Sequence, residues 1–588
     1  MQRRRCFVLS FSLIVASAML GCSMAGAPGS PRVPDARLAE SAVVVYTARE
    51  IVTLDARRPS VEAVAVEGDR ILATGRLVDV ERELADRPYR VDRRFEDAVL
   101  VPGFINQHEH PWLAAIAMIA EIVSIEDWVM PTSTKPRAID DADYRRRVKA
   151  LVEAHGDPDT VLYTWGYHQL FHGDLSRTDL DALGPNIPIV VLQRSMHEMI
   201  FKSRALELFG IDQARVDALP GSARAQSDLA RGHFWEQGLM AVAPVVFPDL
   251  LTPERYIPAL ERVKDYWHAA GSTLVAEPGG LVAPALMAIQ NKILGAPSAP
   301  FRMHYIADGK TMVAGLPEAE VIPATNALAD SADGTSRFLP KQVKLFADGA
   351  MFSQLMKMRD GYLDGHHGEW IMDPEVFEKA FRIYWDAGYQ IHVHQNGDAG
   401  LDMVLATLES NMSRNPREDH RTVIVHFGFS RREQVDRIAE LGAIVSANPF
   451  YTIVLADRYS EVGIGPERAR EMVRLGDVVR AGIPVSLHAD MPMAPGQPLL
   501  LMWSAVNRRT VNGNVVGPDQ RLSPEQAFRA ITIDAAYSLQ LENEVGSIEA
   551  GKLANFTVLA ENPLTVSPET IKSIRVLGTV HEGRVFQR

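Results

Sequence analysis

From about residue 103 to residue 540, short apolar runs of β character alternate with amphipathic segments of helical period. Ile187–Leu192, Gln342–Phe346, Tyr389–His394, Thr422–His426 and Ile483–Leu487 read as strands, and Pro374–Trp385 and Arg432–Leu441 as helices. Parallel strands need long crossovers, which helices supply. Alternation over this length therefore predicts an α/β chain with a parallel sheet, and a (β/α)8 TIM barrel fits best. A doubly wound sheet is the alternative, but no glycine-rich phosphate loop follows a first strand. The barrel is expected over 103–540 with an insertion, since residues 124–260, rich in aromatics and prolines, give no assignable pattern.

Both ends of the chain are β-rich. Val43–Tyr46, Val61–Val66, a Gly68-Asp69 turn and Arg70–Ala73 open it, and Asn555–Leu559, Ile574–Val580 and Arg584–Phe586 close it around a Glu582-Gly583 turn. Residues 42–102 and 541–588 are therefore expected to form one small domain from both termini. Hydrophobic residues at 47% and charged residues at 23% exclude a disordered or fibrous chain. A net charge of −13 offers no basic face for phosphates, so nucleic acid is not an expected partner.

The first residues form a separate signal. Arg3, Arg4 and Arg5 precede an apolar stretch, Phe7 to Leu20, that is too short to span a bilayer. It ends in Met19-Leu20-Gly21-Cys22, which resembles a bacterial lipobox. Residues 1–21 are thus expected to be a lipoprotein signal peptide, with Cys22 lipidated and Gly-, Pro-, Ala- and Ser-rich residues 22–41 as a tether. This predicts an exported, periplasm-facing lipoprotein of the outer membrane, bound to the bilayer only through Cys22. Arg4-Arg5 also resembles a twin-arginine signal, which leaves the export route open. Cys6 and Cys22 are the only cysteines, so the mature fold is expected to have no disulfide and no thiolate metal ligand.

Histidines, acids and a lysine recur where strands end. Pro102-Gly103-Phe104-Ile105-Asn106-Gln107-His108-Glu109-His110 places His108 and His110 on one side, with Glu109 turned away. Neutral imidazole is the commonest metal ligand. Lys344 lies inside the apolar Val343–Ala347 run, with Phe346 and Asp348 on its face; burial demands that it be neutralised or paired, for instance with Asp348. His392 and His394 share a face, His426 ends the next strand, and His488 and Asp490 share a face after a later one. His197 and His488 are candidates for gripping a substrate carbonyl, against core or ligand-supporting roles. Trp165–His168 and His366–Trp370 line a pocket mouth or lie on surface loops.

In combination, His108-x-His110, Lys344, His394, His426 and Asp490 resemble the ordered ligand set of the amidohydrolase superfamily of metal-dependent hydrolases. Gly546-Ser547-Ile548-Glu549-Ala550-Gly551-Lys552-Leu553-Ala554-Asn555 is similar to a closing passage of that superfamily, with Asn555 where Asp is usual. Lys344–Gly349 and His394-x-x-Gly397-Asp398 resemble the branch containing N-substituted formamide deformylase, although Met351-Phe352-Ser353-Gln354 departs from its Gly-Ser-Arg stretch. The resemblance covers about 42–588. It implies a distorted barrel with a β-sandwich from both termini, and one or two divalent ions, most often zinc. It selects His394 over His392, and implies that Lys344 is carboxylated to bridge two ions.

A bound ion lowers the pKa of its water towards about 7 and polarises a carbonyl. Asp490 is then expected to act as the proton shuttle. The expected activity is cleavage of a C–N bond in a small-molecule amide, carbamate or cyclic amide. Hydrolysis of an ester, lactone or phosphoester by the same site is the alternative within enzymes, and a non-catalytic metal- or solute-binding lipoprotein the alternative outside them. An oligomer is compatible with the sequence.

Overall fold

The computed structural model describes residues 43–280 and 283–588, so the signal peptide, Cys22 and the tether lie outside the described residues. Eight parallel strands form its centre: β1 (Phe104–Asn106), β2 (Ser272–Pro278), β3 (Arg302–Asp308), β4 (Arg337–Phe346), β5 (Gln390–Gln395), β6 (Val423–His426), β7 (Ile444–Ala447) and β8 (Val485–Leu487). Each pairs with its neighbour in chain order from β1 to β8. No ladder joins β8 to β1 among the described residues. Gln107 Nε2 instead donates to Ser486 Oγ at 2.7 Å, and Asp490 N donates to His108 O at 3.0 Å. The sheet is thus a distorted (β/α)8 barrel, with its seam closed by side chains and loops.

Helices Pro374–Asp386 and Arg432–Glu440 occupy the ranges their periodicity predicts. In the first, Asp373 caps the Glu375 amide and Phe377, Ala380, Phe381 and Tyr384 face inward. Each buried aromatic on this stripe contributes about 1.5–3 kcal/mol.

The β-rich ends join in one seven-stranded sheet. Its central strand, Tyr89–Pro102, pairs in parallel with Val43–Val52 and antiparallel with Phe556–Leu559, so it ties the two termini together. One face of the sheet carries an apolar core. Tyr46 lies 5.7 Å from Phe95 and 6.5 Å from Phe556 by ring centroid, and its hydroxyl donates to Gly583 O at 3.3 Å. Helix Leu77–Leu84 covers the opposite face through Val80 and Leu84.

One expected strand belongs elsewhere. Ile189–Gln193 is not in the barrel but in a six-stranded mixed sheet inserted between β1 and β2, beside Leu162–Tyr167 and Glu198–Phe201. An apolar run identifies a buried strand, but its sheet is set by distant pairing. The segment that gave no pattern is therefore an ordered layer, and the core around Trp128 and Trp165, whose ring centroids are 5.2 Å apart, runs on into Val275 of β2 and Met303 and Tyr305 of β3.

Candidate metal centre

The carboxyl ends of the barrel strands bring the predicted residues together. His108 and His110 follow β1, Lys344 lies in β4, His394 in β5, His426 ends β6, and His488 and Asp490 follow β8. Asp490 Oδ1 is 3.1 Å from His110 Nε2 and 3.5 Å from His108 Nε2, and Oδ2 is 3.6 Å from His426 Nδ1. His108, His426 and Asp490 offer ligand atoms all within 4.8 Å of one another. The His394 ring stands 4.3 Å from that of His426, and His394 Nε2 is 3.0 Å from the Asn396 side-chain nitrogen.

His488 lies deeper. It stacks on His108 at 4.5 Å, and its two ring nitrogens face His426 Nδ1 at 3.1 Å and Ser446 Oγ at 2.8 Å. His392 also points inward but sits a layer below His394, 3.1 Å from Gln342 Oε1. Alternation gives the shared face of the two histidines; only depth in the barrel separates them.

Burial holds His108, His394, His426 and His488 well below the ordinary imidazole pKa, so their lone pairs are available. Burial also disfavours charge on His110, but Asp490 and Glu277 outweigh it and lift its pKa to about 9. Lys344 is driven down to about 7 by burial, against the pull of Asp490 and Asp308.

Lys344 does not pair with Asp348. That carboxylate instead accepts the amides of Gly397 at 2.7 Å, Lys357 at 2.8 Å and Asn396 at 2.9 Å. Lys344 Nζ and His110 Nδ1 are buried without hydrogen-bond partners. Unpaired buried groups of this kind are costly. A divalent ion matches the donor set, since imidazole nitrogens and carboxylate oxygens are its ordinary ligands.

Two acids flank the cluster, Glu109, which the sequence placed on the opposite face, and Glu277, which it did not single out. Glu109 does turn away from the histidines, and its Oε2 accepts the Met491 amide at 2.7 Å, tying β1 to the turn that bears Asp490. Glu277, near the end of β2, places Oε1 3.7 Å from His110 Nδ1. Its sequence signal was an acid closing the apolar Leu274-Val275-Ala276 run before Pro278-Gly279-Gly280.

His197 comes from the inserted layer. It is half-buried, with Nδ1 3.0 Å from Glu236 Oε1. Trp165 and His168 are interior and line no mouth. His366 belongs to a loop, stacked on Tyr362 at 4.1 Å and 2.7 Å from Gln354 O.

An eight-stranded parallel barrel with buried histidines and an aspartate gathered at its strand ends defines a metal-dependent hydrolase of amidohydrolase type. Residues 96–587 match the model of the Amidohydrolase family, and the chain belongs to that family. It is 26% identical to N-substituted formamide deformylase of Arthrobacter pascens over 548 residues, covering 90% of this chain and 96% of that protein. It is 23% identical over 544 residues to the putative amidohydrolase YtcJ of Bacillus subtilis, covering 89% of this chain and 95% of that one. An uncharacterized metal-dependent hydrolase from Pyrococcus horikoshii shares the fold with a TM-score of 0.67 at 19% identity, covering 90% of this chain and 99% of that one.

Proposed function

We propose that the protein is an exported hydrolase that cleaves a C–N bond in an amide, carbamate or cyclic amide, with Asp490 as proton shuttle. The observation that carries this reading is the placing of the Asp490 carboxylate within 3.1–3.6 Å of His110, His108 and His426. The similarity to N-substituted formamide deformylase supports an amide substrate.

His108, His110, Lys344, His394, His426 and Asp490 would hold one or two divalent ions, with zinc the preferred reading for a site of imidazoles. When bound, such an ion acidifies water and polarises a carbonyl oxygen. Asp490 takes a proton from the attacking water and gives it to the leaving nitrogen as the C–N bond breaks. The Glu277 carboxylate, with Oε1 3.7 Å from His110 Nδ1, favours a proton on that nitrogen and so biases which ring nitrogen faces the site. Lys344 Nζ bonds to the carbon of dissolved carbon dioxide and sheds a proton, which turns a buried amine without a partner into an anionic oxygen ligand. His197 grips the substrate carbonyl through Nε2, because Glu236 occupies Nδ1. His488, wholly buried, orients His426 instead of meeting substrate.

The test is metal content together with turnover on N-substituted formamides, other amides, carbamates and cyclic amides, set against esters, lactones and phosphoesters. One or two ions per chain with hydrolysis of a C–N substrate is the expected result. Turnover confined to esters, lactones or phosphoesters would overturn the bond assignment. Metal without turnover on any class would make the protein a binder.

A further inference from the structure

The layer inserted between β1 and β2 sends one side chain to the turn that bears Asp490. Arg194, immediately after strand Ile189–Gln193, is wholly buried. Its guanidinium carbon lies 4.6 Å from the ring centroids of both Trp165 and Phe352. Nη2 donates to Glu126 Oε1 at 2.5 Å and to Met493 O at 2.7 Å, and Nη1 donates to Pro492 O at 2.6 Å. Glu126 is itself fixed, accepting from Trp128 Nε1 and Ser124 Oγ, each at 2.8 Å.

A guanidinium is planar, and its donors point in fixed directions. Held at one edge by Glu126 and packed on two aromatic rings, this one presents its remaining N–H groups to two carbonyls two and three residues past Asp490. Across the same turn, Asp490 N donates to His108 O at 3.0 Å and Met491 N to Glu109 Oε2 at 2.7 Å. Asp490 sits at φ 59°, a left-handed conformation that its surroundings must hold in place. An ion pair that merely fastened the inserted layer to the barrel would need only Glu126. The two carbonyl bonds go to the loop that aims the carboxylate.

We propose that Arg194 is a positioning residue for Asp490: through the Pro492 and Met493 carbonyls it sets the direction of the carboxylate, and the inserted layer thereby belongs to the catalytic apparatus. The inference rests on the reading of Asp490 as the acid–base group. A catalytic group displaced by about 1 Å loses on the order of 10²-fold in rate.

Replacing Arg194 by Met alone strands the buried Glu126 carboxylate and endangers folding. The test therefore uses Arg194→Lys, whose point-like ammonium lacks the planar fork that reaches the two carbonyls and Glu126 from separate nitrogens, and the double replacement Arg194→Met/Glu126→Gln, which removes both charges. Each is measured for metal stoichiometry, for kcat and KM with formanilide by formate release, and for the visible spectrum of the Co²⁺-loaded protein. The expected result is full metal loading, kcat at least about tenfold lower, KM within about twofold, and a Co²⁺ spectrum displaced from wild type in the direction that Asp490→Asn displaces it. Wild-type kcat and a wild-type spectrum in a folded, metal-loaded variant would overturn the proposal. Asp490→Asn is measured alongside. If it retains wild-type kcat, the acid–base reading fails, and the spectrum alone decides whether Arg194 places the carboxylate. The spectrum decides in the same way if formanilide is not turned over.

Discussion

Asp490 Oδ1 and His110 Nε2 face each other at 3.1 Å across the seam between the last and first barrel strands. The seam has no backbone ladder among the described residues, so the relative position of the two side chains depends on the turns that carry them. Glu109 and Arg194 hold the turn of Asp490 from two sides. A cation between carboxylate and imidazole would replace the attraction that now lifts the His110 pKa to about 9.

Lys344 is the one buried amine in this cluster, and its nitrogen has no partner. Lys344→Ala is expected to lower the bound metal per chain, measured by plasma mass spectrometry, and to reduce kcat. A short carboxylate such as acetate should restore part of the activity by occupying the vacated volume. Full metal loading and full activity in Lys344→Ala would remove the carbamate from the mechanism.

Asp348 anchors the loops after β4 and β5 by accepting the buried amides of Asn396 and Gly397 and the part-buried amide of Lys357. Asp348→Ala leaves those donors unsatisfied at about 1–3 kcal/mol each, so a loss of about 3 kcal/mol or more is expected. The check is the thermal midpoint of the metal-loaded protein, which should fall by several degrees. An unchanged midpoint would show that water or local rearrangement satisfies the amides.

The proposed lipid anchor makes a separate prediction. Each buried methylene of an acyl chain contributes about 0.8 kcal/mol, so a Cys22 carrying several acyl chains would hold the protein at a membrane surface. Cys22→Ser should move the protein from the membrane pellet to the soluble fraction, or leave unprocessed precursor. A wild-type protein found free in the periplasm would contradict the anchor.

Much of the barrel was legible because β4, β5, β6 and β8 are apolar runs that end in chemistry. Tyr89–Pro102 was not, although it is the strand that joins the two termini. Its first half alternates charged residues with few apolar ones, Arg90-Val91-Asp92-Arg93-Arg94-Phe95, because it runs along an exposed part of the sheet. Ile189–Gln193 was legible as a strand and assigned to the wrong sheet, since pairing partners are not encoded locally.

The site divides in the same way. His108, His110, Lys344, His394, His426 and Asp490 were picked out in the sequence because each lies at or near a strand end in a recognisable order, and the fold brings them together. Glu277 and Arg194 were not picked out because the groups they face, the His110 ring and the 492–493 carbonyls, lie far away in the chain and meet them only in the folded protein. His392 and His394 show the limit of periodicity, which gives the face of a strand but not the depth at which a ligand is needed.

The most direct test of the mechanism is Asp490→Asn, measured for kcat, metal stoichiometry and thermal midpoint in one preparation. Asn retains the size and one oxygen acceptor but cannot carry the proton. General acid–base catalysis contributes about 10² to 10⁴-fold, so kcat should fall by that order while most of the metal and the midpoint are retained. A kcat near that of wild type, with metal bound, would contradict the assignment of Asp490 as the proton shuttle.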